Sequence, residues 1–296
     1  MIAPRIANLG RWFLLLGLLG VIVACGGSTP APTPTPVPPP EVTATPTDAP
    51  PPPSIGDNGE PVLAAITVGV NAQFKPFVYF DEAGRLAGFD IDLMNALAEA
   101  GQFEMGFVDL PFEDLLDAVA NGEIDAAISA ITVTDERQTL VDFSDVYFGA
   151  GQALVSYFSA GQGMAVRTEN MALTGLDALT AETTVAVKEG TTGAAFVEAE
   201  TPAQAVAFPE AAPAIEALVN GEVDAVVVDI PVIVNYIKEH PTAGIKLAGG
   251  PITEESYAIA VSKEKPDVLA LLNETLAKLR ENGVYDAIFQ KWFGSP

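Results

Sequence analysis

Leu116-Asp117-Ala118-Val119-Ala120-Asn121-Gly122-Glu123-Ile124-Asp125-Ala126 returns 99 residues later as Ile215-Glu216-Ala217-Leu218-Val219-Asn220-Gly221-Glu222-Val223-Asp224-Ala225. Each copy reads as a helix, an Asn-Gly stop and a strand, because Asn and Gly tolerate the left-handed backbone that ends a helix. Two copies of one unit predict two lobes of like topology, with a chance recurrence of a common turn as the alternative. Around them, β-branched runs at 66–70, 125–128, 184–187 and 224–228 alternate with helical stretches such as 90–100 and 112–121. That alternation predicts an α/β fold in which each lobe is a mostly parallel sheet flanked by helices. In such sheets ligands bind beyond the carboxyl ends of the strands. The residues that follow the two echoing strands therefore matter most: Ser129, Thr132 and Arg137 after the first, Asp229 after the second.

Composition narrows the function. The 296 residues are 49% hydrophobic and 18% charged, enough for one large or two ordinary cores. Acidic residues outnumber basic ones 39 to 14, and a net charge of −25 repels phosphate backbones, so no nucleic-acid partner is expected. One Cys and one His exclude a disulfide framework and a two-His zinc site, and leave only His240 for a Ser-His triad. There is no GxxxxGK[ST], no CxxC and no EF-hand loop, so neither metal nor cofactor is expected.

The beginning of the chain does not read as fold. Arg5 and Arg11 accompany an apolar stretch at 12–24, whose 13 residues fall short of a membrane-spanning helix, so 1–24 reads as an export signal. Ile22-Val23-Ala24-Cys25 followed by Gly26-Gly27 resembles a bacterial lipobox, which implies that Cys25 becomes the lipidated first residue; a free cysteine after an uncleaved helix is the alternative. Residues 29–53 hold 12 prolines and 6 threonines. Such a segment is extended at ~3.1 Å per residue, and 25–61 reads as a tether, or else as a leader without that role. An exported, tethered chain is expected to work outside the cytoplasmic membrane while lipid-anchored to it.

Three motifs carry a resemblance. They are Gly88-Phe89-Asp90-Ile91-Asp92-Leu93 with the helix that follows, Ile131-Thr132-Val133-Thr134-Asp135-Glu136-Arg137 with Asp142-Phe143-Ser144, and Leu279-Arg280-Glu281-Asn282-Gly283-Val284-Tyr285 with Lys291-Trp292-Phe293. In this order they resemble bacterial extracellular solute-binding protein family 3, the polar amino-acid binding proteins of ABC importers, which have the two-lobe type 2 periplasmic-binding fold. The resemblance implies a first lobe from 62–150 plus 256–296 and a second from 151–255. It also implies two hinge crossings near 149–155 and 252–257. A monomer would capture a polar amino acid in the cleft and deliver it to an ABC permease, without catalysis.

A zwitterion buried in such a cleft needs every charge paired. By resemblance, Arg137 grips the α-carboxylate, with a surface pair to Asp135 or Glu136 as its alternative role. Asp229 holds the α-ammonium, or caps a helix. Ser129 and Thr132 add hydrogen bonds, or cap the 134–137 turn. Phe74 and Phe112 sandwich the ligand, or pack in the core. Gly190-Thr191-Thr192-Gly193 precedes a helix, where free N–H groups and the dipole favour an anion, and Thr191 or Thr192 is equally an ordinary cap. Asn71 stands where basic-ligand members place a carboxylate, and with Lys188 it argues against lysine or arginine as cargo. Asp90 and Asp92 read as acids complementing a helix N-terminus. Dehydratases of prephenate-like or arogenate-like acids share the fold, but need a general acid, for which Glu189 is the nearest residue. A sensor would need a downstream membrane helix or kinase, or a separate receptor. Finally, Tyr147-Phe148-Gly149-Ala150-Gly151-Gln152 recurs as Tyr157-Phe158-Ser159-Ala160-Gly161-Gln162, which reads as a short duplication inserted beside the first hinge.

Overall fold

The computed structural model describes residues 65–149 and 160–294. The export signal, Cys25 and the Pro/Thr segment lie outside these residues, as do 150–159, which hold most of the first crossing and the middle of its duplication.

The chain opens with β1 (Ile66–Val70) and three short strands, β2 (Gln73–Phe74), β3 (Val78–Phe80) and β4 (Leu86–Ala87), that pair with one another as an antiparallel ribbon. Then come α1 (Phe89–Gly101), β5 (Met105–Asp109), α2 (Phe112–Ala120), β6 (Ala126–Ala127), α3 (Asp135–Leu140), β7 (Asp142–Phe143) and β8 (Phe148–Gly149). After the undescribed segment follow β9 (Gln162–Arg167), β10 (Thr184–Lys188), α4 (Thr192–Glu200), β11 (Gln204–Phe208), α5 (Ala211–Asn220), β12 (Ala225–Asp229), α6 (Ile230–Glu239) and β13 (Ile245–Ala248). The chain then returns through β14 (Ser256–Tyr257) and β15 (Ala260–Val261) to α7 (Pro266–Glu281) and α8 (Val284–Phe293).

Two five-stranded sheets result, in the orders β5-β1-β6-β15-β7 and β11-β10-β12-β9-β13. Three strands of each, β5-β1-β6 and β11-β10-β12, run parallel, as helix–strand alternation requires. The other ladders are antiparallel. The reason is connectivity: β9 and β15 enter their sheets from the crossing segments and not through a crossover helix. The echoing units occupy equivalent places, α2 leading to β6 and α5 leading to β12. In both copies it is the glycine, Gly122 at φ +74° and Gly221 at φ +78°, that takes the left-handed turn, while Asn121 stays right-handed and Asn220 ends its helix.

β8 and β14 pair antiparallel, Phe148 opposite Tyr257 and Gly149 opposite Ser256, and so bring the start of the first crossing beside the end of the second. Their rings stack at 5.5 Å and meet Phe77 at 5.3 and 5.5 Å; Phe148 also meets Phe293 of α8 at 5.0 Å. Each such aromatic pair contributes about 1 kcal/mol beyond its buried area. The ribbon is thereby rooted in the core of the first lobe, whereas Glu255, just before β14, bonds to Thr192 of the second.

Candidate functional site

The site forms where the parallel strands end. Asn71 follows β1, Ser129 follows β6, Lys188 closes β10 and Asp229 closes β12. From the first lobe Phe74, Phe112, Ser129, Thr132 and Arg137, and from the second Lys188, Thr191, Thr192 and Asp229, line one cavity, with Ala130. Its volume is about 10 Å³, room for about one water molecule. The lining side chains are therefore close to mutual contact, and an amino acid enters only if the lobes part or these groups withdraw. A groove of about 760 Å³ reaches Arg137, Thr191 and Thr192 from solvent. A further hollow of about 380 Å³ between the β2–β3 ribbon and helices α5 and α6 is larger than the cavity, but it gathers neither Arg137 nor Asp229.

Arg137 sits in the first turn of α3, where Thr134 caps the helix by accepting from its backbone N–H at 3.2 Å. Its guanidinium donates to the Thr132 carbonyl at 2.9 Å and, across the lobes, to the Gly190 carbonyl at 3.2 Å. It also lies over the Phe112 ring at 5.6 Å. Burial lowers its pKa, and the charges of Glu255, Asp229 and Glu136 oppose that shift.

Asp229 occupies the N-cap position of α6, yet its side chain makes no capping bond. Its carboxylate instead accepts from the Tyr257 hydroxyl. Burial pushes its pKa up to about 7, with the nearby Glu255 charge as the second cause, while the bonds from Tyr257 and Gln162 pull the other way.

Lys188 is 1% exposed and donates to Asn71 Oδ1 at 2.6 Å and Glu210 Oε2 at 2.5 Å. Its ammonium stands 5.4 Å from the Phe74 ring centre and 5.3 Å from that of Phe112. Paired and resting against two aromatic faces, it stays buried without an unmatched charge. Asn71 does not line the cavity: it lies behind Lys188, on a neighbouring hollow of about 330 Å³ shared with Asp109 and Glu210. Ser129 Oγ accepts from the Asn71 N–H at 3.2 Å. Thr191 caps α4, accepting from the Ala194 N–H at 3.3 Å and donating to the Lys188 carbonyl at 2.7 Å.

Several residues at or behind the cavity are not among the expected site residues. Glu255, 7% exposed in the second crossing, accepts from Thr132 Oγ1 at 2.7 Å and Thr192 Oγ1 at 2.8 Å. Gln162 donates to Thr192 Oγ1 at 3.1 Å. Glu254 and Glu255 are adjacent acids, and nothing in their order tells which one turns inward. Asp90 departs from its reading as a helix-end acid: it is fully buried and accepts at 2.8 Å from the N–H of Ala130, a cavity residue held at φ +50°. Asp92 meets Lys291 and Trp292 of α8, each at 2.6 Å. Glu189, the acid a dehydratase would draw on, is solvent-exposed on the outer groove. Among the described residues no cluster of metal-ligating side chains occurs, and no helix is long and apolar enough to cross a membrane.

Residues 66–295 match the bacterial extracellular solute-binding proteins, family 3. The chain belongs to this family. A probable histidine-binding protein of Neisseria gonorrhoeae is 37% identical over 231 residues, 76% of this chain and 82% of that protein. An ABC transporter glutamine-binding protein of Bacillus subtilis is 31% identical, over 71% of this chain and 74% of its own length. Among solved structures, an ancestral arginine-binding protein bound to arginine superposes with a TM-score of 0.71 at 36% identity, covering 78% of this chain and 98% of that one. These relatives are named as binding proteins, which supports the transport reading over the dehydratase one.

Proposed function

We propose that the chain is the extracytoplasmic substrate-binding component of an ABC importer, which captures a polar amino acid by closing its lobes and hands it to a membrane permease. One observation carries this reading: Arg137, on α3 between two strands of the first sheet, and Asp229, at the end of β12 in the second, line one buried cavity. Arg137 takes the α-carboxylate through its planar fork. Asp229 takes the α-ammonium. Phe74 and Phe112 flank the stem, and Ser129, Thr132 and the N-terminus of α4 behind Thr191 and Thr192 complete the polar contacts. Lys188, held by Asn71 and paired with Glu210, sets its ammonium beside the aromatic pair. In that place it offers N–H donors and no free carboxylate, which suits an amide, acidic or neutral polar side chain better than a cationic one, so glutamine, the ligand named for the Bacillus relative, fits. In this reading 62–150 plus 256–296 and 151–255 are the moving lobes, the protein is a monomer, and Cys25 carries the lipid anchor, which fatty-acid labelling lost in Cys25→Ser checks.

Calorimetry with the common L-amino acids tests the site. Arg137→Ala and Asp229→Ala are each expected to lose roughly 30-fold or more in affinity, as removing one partner of a buried charge pair does, with unchanged circular dichroism. Parental affinity in both variants overturns the assignment. Tight binding of arginine with none of glutamate or glutamine overturns the cargo class alone.

A further inference from the structure

We propose that Glu255 is a positioning residue of the ligand site: from behind the cavity wall it takes the hydroxyl protons of Thr132 and Thr192, one on each lobe, and so fixes which way their oxygens bond in the closed form. Glu255 does not line the cavity. It lies between β13 and β14, where the chain returns to the first lobe, and its Oε1 also accepts from Thr253 Oγ1 at 2.9 Å. An ionised carboxylate only accepts, and a threonine hydroxyl has a single proton to give. With that proton committed to Glu255, Thr132 presents acceptor capacity to the cavity, the polarity suited to an ammonium beside Asp229. One of the two lone pairs of Thr192 is met by Gln162 Nε2 at 3.1 Å, so its hydroxyl has less accepting capacity left for a ligand than that of Thr132.

Glu255 also acts on Asp229 through charge. The groups that face Asp229 are the Tyr257 hydroxyl, the Gln162 side chain, Glu255 and Arg137. Of these, Glu255 is the one that disfavours the ionised carboxylate, adding to the effect of burial. Capture of an ammonium needs Asp229 ionised, so affinity weakens as pH falls below about 7, and Glu255 helps set where that decline begins. Glu255→Gln keeps the shape, removes the charge and turns one of the two accepting oxygens into a donor.

This inference rests on the capture of an amino acid between Arg137 and Asp229. The experiment is calorimetry on the full chain with the tightest-binding L-amino acid of the panel, from about pH 5 to about pH 8. Glu255→Ala is expected to lose about tenfold or more; Glu255→Gln, whose amide accepts at one end and donates at the other and so keeps only one of the two hydroxyl contacts, to recover part of that loss; and the acid decline of Glu255→Gln to move down by about one pH unit. A decline that coincides with the parent's, or a folded Glu255→Ala that binds as tightly as the parent, overturns the role of Glu255. If Glu255→Ala does not fold, the Glu255→Gln profile decides alone. No binding by any amino acid of the panel, or parental affinity in Arg137→Ala and Asp229→Ala, overturns the site reading as well.

Discussion

Asp90 shows how one buried side chain shapes both the cavity and the stability of the fold. Its Oδ2 holds the Ala130 N–H, so a non-glycine residue at positive φ keeps its place on the cavity wall. Burial raises its pKa from 3.8 to about 7. The folded state therefore binds a proton that the unfolded chain releases between those two values. Its stabilising contribution is complete below about pH 3.8 and is lost as pH rises through about 7. Asp90→Asn, which still offers an oxygen to Ala130, removes that slope. Its stability relative to the parent should rise by on the order of 3 kcal/mol between about pH 4 and pH 8, read by urea unfolding; parallel curves would refute the assignment. Asp229 contributes a slope of the same sign in both proteins and cancels in the comparison. Position in a helix first turn makes Asp90 look like a solvent-facing acid, and only the approach of the 129–132 segment reveals its partner.

At the scale of elements, periodicity matches structure where a segment's own residues decide it. β1 matches the expected 66–70 run, α1 and α2 fall within a residue of their readings, β10 and β12 each end one residue beyond theirs, at Lys188 and Asp229, with β12 also starting one later, and β6 keeps only 126–127 of the expected 125–128. Those added residues are two of the site's charges. The entry to α1 is set by backbone crowding as well as by sequence. Gly88 caps the helix at φ +133°, and a β-carbon there would stand 1.9 Å from the Phe77 carbonyl oxygen. Gly88→Ala should therefore destabilise the protein by more than about 2 kcal/mol, seen as a lowered thermal midpoint. A glycine before a helix has several ordinary reasons to be there, and the contact with Phe77 is not among those a linear reading supplies.

Across the whole molecule the lobes meet through contacts of very different weight. Lys75 and Glu239 pair at 3.4 Å with about half of each side chain in water, 46% and 42%. Exposed pairs are screened and contribute about 0–1 kcal/mol. Lys75→Ala should accordingly leave ligand affinity within about twofold and weaken any salt dependence of it; a tenfold loss would make the outer pair a true closure contact. The weighty cross-lobe bonds are the buried ones, Lys188 to Asn71 and Thr132 to Glu255, because there no water competes for the partners. Tyr257 joins the scales: its ring stacks on Phe148 in the aromatic core of the first lobe while its hydroxyl donates to Asp229 of the second.

Local chemistry was enough to announce two like α/β units, the strands within them and the charged residues at the strand ends, since periodicity and turn chemistry act over a few neighbours. Which of those charges are partnered, and by whom, was settled by folding. Asn71 and Glu210 stand 139 residues apart yet touch, with Lys188 between them; Thr132 and Glu255 are separated by 123. A short polar side chain forms a bond only within about 3.5 Å, and no pattern along the chain encodes that distance until the sheets and crossings have brought the segments together.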